Sequence, residues 1–155
     1  MKITIVAVGL RQPAWADEAV HDYINRFAKD FSVTIKAVKP ETRAGQPAAK
    51  IMQLEAERIR AAIPQGSLVV AMDEHGHDWT TMQFTQKIRQ WQDSGESVTF
   101  LIGGADGLDP SLKAQARQLM RLSSMTLPHA MARVLLTEQI YRAYSILNNH
   151  PYHRV

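Results

Sequence analysis

The chain has 155 residues, 45% of them hydrophobic and 21% charged, the balance of one ordinary globular domain that buries roughly two-thirds of its unfolded surface. It has no cysteine, which excludes disulfides and thiolate metal sites, and its longest run without charge, Ala61–Met72, contains Pro64 and Gly66 and is too short to cross a membrane. A formal charge of +3 and a pI near 9.3 admit a polyanionic partner without requiring one.

At the N-terminus Ile3, Ile5 and Ala7 alternate with Thr4, Val6 and Val8, the pattern of a strand. That apolar stretch is too short for a signal peptide and lacks a cleavage site, so a cytoplasmic location is expected. Pro13 opens a helix on which Trp15, Ala19, Tyr23 and Phe27 recur every four residues, predicting that these four face the core. Val33–Val38 reads as a second strand, and the polar stretch from Pro40 to Pro47 as a loop. Ile51, Leu54, Ile59 and Ala62 mark a helix that Pro64-Gln65-Gly66 stops, and Leu68–Met72 is a strand too apolar to be half exposed.

Thr80 and Gln83 have the spacing of a capping box, for a helix carrying Phe84, Ile88 and Trp91 that Gly95 closes. Val98–Ile102 is the fourth strand. Asp109-Pro110 is an N-cap followed by proline at the first helical position, and Leu112, Ala116 and Leu119 would line that helix's inner face. A short strand is expected to begin at Leu122. From Ala130 to about Leu147 runs the last helix, apolar around most of its circumference, which calls for two partners: its own sheet and a second subunit. Alternating strands and helices imply an α/β fold, a mostly parallel sheet with helices on both faces, in a single domain over residues 1–155.

Three segments carry chemistry. Gly103-Gly104, with Gly107, follows a buried strand at the edge where ligands of α/β sheets collect. Glycine there permits either a tight turn or close approach of main-chain amides to a ligand, and the spacing fits neither a dinucleotide fingerprint nor a Walker loop. Ser123-Ser124-Met125-Thr126-Leu127-Pro128-His129 is polar but uncharged, as suits a loop offering backbone groups. The ending Asn149-His150-Pro151-Tyr152-His153-Arg154 puts proton-handling and cationic groups where chain ends are usually idle. Arginine pairs with phosphate, tyrosine stacks on a base, and histidine moves a proton near neutral pH.

Other polar groups have plainer readings. Glu74-His75-Gly76-His77-Asp78 and His150-x-x-His153 contain metal-ligand residue types, yet a zinc site needs three or four convergent ligands, so no metal is expected. Asp106 could meet a ligand's ammonium or brace the glycine turn. Glu138 and Arg142, four apart, form either a structural bridge or part of a site at a dimer seam, and the resemblance given next favours the seam.

Ile102-Gly103-Gly104 with Gly107-Leu108, Leu127-Pro128-His129 and the terminal run together resemble the small SPOUT-class methyltransferases that modify a pseudouridine of large-subunit ribosomal RNA, the RlmH family. The resemblance extends from Val6-Ala7-Val8-Gly9 to the penultimate residue. It implies a C-terminal trefoil knot over roughly residues 68–155, which general folding rules would exclude. It further implies an S-adenosylmethionine pocket walled by Met72, Asp73, Gly103, Gly104, Leu122, Ser123, Ser124, Met125, Thr126 and Leu127. His129, Arg142, Tyr152, His153 and Arg154 become the candidate catalytic groups. The implied activity is methyl transfer to N3 of a pseudouridine in helix 69 of 23S ribosomal RNA on assembled ribosomes, by a homodimer with neither a membrane nor DNA as partner. The rival readings are a non-catalytic ribosome-binding module that has kept the fold, and an α/β enzyme acting on a small phosphorylated substrate.

Overall fold

The computed structural model describes residues 1–153. Five strands, β1 (Lys2–Val8), β2 (Ser32–Val38), β3 (Leu68–Asp78), β4 (Val98–Ile102) and β5 (Gln118–Arg121), form one sheet in the order β2-β1-β4-β3-β5. Every pairing is parallel. Because parallel strands need crossovers, helices cover both faces, and the inner strands β1 and β4 are buried on both sides. Ile3, Ile5 and Ala7 of β1 join Val70, Phe100 and Ile102 on one face, beneath α1 (Ala14–Ile24), α3 (Thr81–Asp93) and α5 (His129–Leu147). Val6, Val8, Ala71 and Leu101 point to the other, beneath α2 (Ala48–Ala62) and α4 (Pro110–Gln115).

The capping signals work as read. Thr80 accepts from the Gln83 amide while the Gln83 side chain accepts from the Thr80 amide, starting α3. Asp109 accepts from the Ser111 amide at 2.8 Å, starting α4. Gly95, at φ 70°, follows the end of α3 in the left-handed conformation that only glycine adopts at little cost.

Three local expectations are corrected. Trp15 is 51% exposed, and α1 buries Ala16 and Val20 instead. The three four-residue steps from Trp15 to Phe27 drift by about 120° around a 3.6-residue helix, so those residues cannot share one narrow face. Only Tyr23 and Phe27, with Ile24, pack against the core. Second, α4 stops at Gln115, so Leu119 belongs to β5, while 122–127 is loop rather than strand. Sheet pairing overrode the helical spacing there, because β3 offers its free edge to Gln118–Arg121. Third, β3 runs on to Asp78, well past Met72.

That extension is irregular. Both Met72 and His77 align with Met120, so residues 73–76 bulge between two paired stretches. Gly76 crosses the β5 backbone so closely that a Cβ would lie 2.5 Å from the Met120 amide nitrogen. Gly76→Ala must displace backbone, and urea titration is expected to show a loss of about 1–3 kcal/mol. Unchanged stability would mean that the crossing is slack.

Candidate active site

The bulge of β3, the C-terminal ends of β4 and β5 and the first turn of α5 surround a cavity of about 320 Å³. That lies at the small end of the usual range for ligand pockets, about 300–1,000 Å³. Met72 and Asp73 come from the bulge of β3, Gly103 and Gly104 leave β4, and Leu122, Ser123, Met125, Thr126 and Leu127 close the far wall. Nine of the ten residues expected to bind a cofactor therefore line one hollow; Ser124 does not. The wall from Leu122 is shaped locally, with the Ser123 hydroxyl accepting from the Met125 amide at 2.9 Å.

The glycine turn closes on itself. The Gly107 amide donates to the Gly104 carbonyl at 3.0 Å, and Gly107 sits at φ 84°. A Cβ on Gly103 would meet the backbone of Gly107 and Leu108 at 2.6–2.9 Å. Gly104 faces the other way: its Cβ would approach the Glu55 carboxylate and Val8 at 3.0–3.3 Å, behind the cavity. Asp106 does not line the cavity; it takes two hydrogen bonds from Arg43, at 2.8 and 3.0 Å. It thereby ties the 40–47 loop to the turn, and Glu55 ties the same loop by accepting from the Glu41 amide. Asp73, at the mouth, pairs with Lys113 at 3.4 Å.

His129 enters the cavity from α5 with both ring nitrogens engaged. Nδ1 lies 3.0 Å from the Gly103 carbonyl oxygen and Nε2 lies 2.9 Å from a guanidinium nitrogen of Arg133. Burial, then the neighbouring Arg133 charge, hold its pKa below the ordinary histidine value despite the Gly103 contact.

The remaining catalytic candidates lie elsewhere. Tyr152 stacks edge-on against Tyr141, with centroids 4.8 Å apart, and shares a 3.0 Å hydroxyl contact with Tyr23. Burial and that contact push its phenol pKa well up, so it stays protonated. Arg142 donates to Glu138 at 2.8 Å and lies 5.1 Å from the Tyr152 ring centroid. His153 Nδ1 sits 3.1 Å from the Ser145 hydroxyl. Arg142 and His153 also line a second hollow with Thr81, Met82, Gln139 and Ile146. Arg154 lies outside the described residues. The structure thus joins Arg142, Tyr152 and His153, and separates them from His129 along α5.

Sequence reasoning missed Met120, Arg121 and Ala132 as cavity lining, since strand ends and helix alanines leave no residue-type signature. It also missed Arg133, although a cation four residues after His129 on an apolar helix, with no acidic residue one turn away, was a usable signal. Among the described residues no group of three or more histidines and carboxylates could hold a metal ion, and His77 instead stacks on Trp79.

The family described as "Predicted SPOUT methyltransferase" matches residues 1–153. The chain is 53% identical over 156 residues to a protein of Ralstonia pickettii named "Ribosomal RNA large subunit methyltransferase H", covering all of both chains. Proteins of the same name from Neisseria meningitidis and Burkholderia ambifaria are 55% and 52% identical, each over 99% of both chains. Among solved structures, a probable methylase family protein from Haemophilus influenzae aligns with TM-score 0.53 at 14% identity, over 99% of this chain and 70% of that one. TrmJ from Z. mobilis aligns with TM-score 0.52 at 17% identity, over 92% and 70%. At such identities these two speak for the fold alone. A match over nearly the whole length, on a parallel sheet whose strand ends open into one glycine-walled cavity, places this chain in the SPOUT methyltransferase family.

Proposed function

We propose that this protein is an S-adenosylmethionine-dependent methyltransferase acting on N3 of a pseudouridine in helix 69 of 23S ribosomal RNA, on assembled ribosomes in the cytoplasm. Support comes from full-length identity above 50% to proteins named as large-subunit rRNA methyltransferases. The observation that carries the reading is the cavity itself. Its apolar lining of Met72, Ile102, Leu122 and Leu127 suits the faces of an adenine, and the Gly103 turn bares backbone groups for its edge. When bound there, S-adenosylmethionine supplies an electrophilic sulfonium methyl. The whole chain serves as one domain, and the threaded C-terminal knot belongs to this proposal.

The chain's own task is the N3 proton and the charge left when it goes. Arg142, held by Glu138, is a fixed cation for a developing anion, and His153 and Arg154 are the groups available for proton and phosphate. In one chain Arg142 and His153 cannot reach the cavity. From His129 to the Tyr141–Ser145 turns, where the tail packs, is twelve to sixteen residues, about 18–24 Å at 1.5 Å per residue. A homodimer resolves the separation, with two α5 helices crossing so that one chain's tail meets the other's cavity. Half-buried Val134, Leu135 and Ile146 and exposed Met82 offer the apolar surface.

Mixing tests this directly. A Gly103→Ala chain and a chain ending at Pro151 should each be inactive on ribosomes, while co-refolded mixtures regain a substantial fraction of wild-type methylation. No recovery, with mixed dimers confirmed by mass, would show that each chain builds its own site. Ribosome binding by the wild type without methyl transfer would instead favour a non-catalytic module.

A further inference from the structure

Arg133 is 4% exposed, yet makes no ion pair among the described residues. Its Nε has no hydrogen-bond partner among them either. Asp17 of α1 favours its charge only through space, and burial lowers its pKa from the ordinary arginine value. A guanidinium nonetheless stays protonated. Burying a cation without a carboxylate partner is destabilising, so its two remaining contacts define what it does. One guanidinium nitrogen donates to the Gly9 carbonyl at 3.1 Å and to His129 Nε2 at 2.9 Å. Gly9, at φ 125°, ends β1 beside β4, and a Cβ there would press on the Gln12 side chain at 2.9 Å.

The logic of donors then runs one way. Arginine has only donors, so His129 Nε2 must offer a lone pair. A neutral ring with Nε2 unprotonated carries its proton on Nδ1, 3.0 Å from the Gly103 carbonyl oxygen, which has only acceptor capacity. Both contacts are satisfied by this tautomer and neither by the other. The result is a chain of hydrogen bonds from the end of β1 through α5 to the cavity wall at the end of β4.

We propose that Arg133 is a positioning residue for methyl transfer, locking His129 in its Nδ1–H tautomer so that the ring holds the Gly103 carbonyl and fixes the cofactor-binding turn. His129 in this arrangement is a brace and not the base that takes the N3 proton, since its one lone pair faces a cation. The inference rests on the proposed function, and its failure can be told apart from the failure of that reading.

The test uses full-length protein with ¹⁵N-labelled histidine. The His129 signals should show Nδ1 protonated and Nε2 bare, in a ring that stays neutral below the pH at which free histidine charges. Arg133→Met removes the donor that pins Nε2, leaving the ring held only by its bond to the Gly103 oxygen, free to tilt and to exchange tautomers at that bond's expense. Calorimetry should then show S-adenosylmethionine binding about ten- to a hundredfold more weakly, the worth of one hydrogen bond to a charged group. Adding His129→Asn, whose amide nitrogen stands where Nδ1 stood and has no tautomers, should restore most of that affinity. Adding His129→Gln, which places its amide at the Nε2 position, should not. General loss of packing would not distinguish asparagine from glutamine. An Nε2–H signal in the wild type, or unchanged cofactor affinity in Arg133→Met, overturns the proposal. Should Arg133→Met fail to fold, Arg133→Lys keeps the buried charge and one donor, and must keep the Nδ1–H signal. If the wild type binds no S-adenosylmethionine, the proposed function fails and this role with it, whatever the ring spectrum shows.

Discussion

A chain ending at Pro151 is expected to lose methyl transfer to ribosomes by about 10²-fold or more, the usual cost of removing a catalytic or charge-stabilising group. Cofactor affinity should be nearly unchanged, because the cavity walls come from β3, β4, β5, α5 and their loops, and neither Tyr152 nor His153 is among the lining residues. Stability should not be spared entirely. Tyr152 packs on Tyr141 and Tyr23 and contacts the Tyr23 hydroxyl, so its removal should cost about 1–2 kcal/mol. Two single changes separate the roles. Tyr152→Phe keeps the ring and should keep most activity, since a phenol held protonated is no base. Arg154→Ala should weaken ribosome binding and reduce its salt dependence, as one fewer phosphate is neutralised. Equal methylation by the shortened and full-length chains would overturn the tail's role. A large loss of cofactor affinity in the shortened chain would overturn the assignment of the tail to the RNA rather than to the cofactor.

The second large effect belongs to Gly103→Ala. An added methyl cannot fit 2.6 Å from the Gly107 carbonyl carbon without moving backbone, and that backbone is the cavity wall. Calorimetry should show S-adenosylmethionine affinity reduced about 100-fold or more, with methylation lost in parallel. Gly104→Ala is the control. Its methyl meets the end of the Glu55 side chain and Val8 at 3.0–3.1 Å, away from the cavity, and a small shift of the carboxylate accommodates it. Gly104→Val pushes further and should act by displacing Glu55, which supports the 40–47 loop through the Glu41 amide. If Gly103→Ala binds as well as Gly104→Ala, the ligand does not depend on this turn.

A sequence reader could find most elements of this fold because their signals are local. The Thr80–Gln83 capping box, the Asp109-Pro110 start and the uninterrupted apolar strands each depend on a few neighbouring residues and on burial from both faces. The glycine turn was legible for the same reason: a buried strand ending in two glycines announces close backbone approach. Residue types singled out the 123–129 loop and the tail as well, and the resemblance gave each of them a role.

What the tertiary structure decided are matters of pairing and register. Leu119 has helical spacing after Leu112 and Ala116, yet the free edge of β3 claims it for β5, because an open row of backbone donors and acceptors outweighs a weak helical preference. Trp15 fell off its expected face through a rotation that a four-residue repeat conceals. His129 and Arg133 are neighbours on any helical wheel, but only the fold brings Gly9 and Gly103 to either side of them, giving a buried cation two acceptors and, among the described residues, no carboxylate. Sequence by itself determined most of the strands, helices and turns, β5 and the second half of β3 excepted, since those follow from periodicity and caps within reach of a few residues. Only the tertiary structure decided which chain ends meet at the cavity and which side chains are left without partners, because strand order and burial are settled by contacts between segments far apart in the chain.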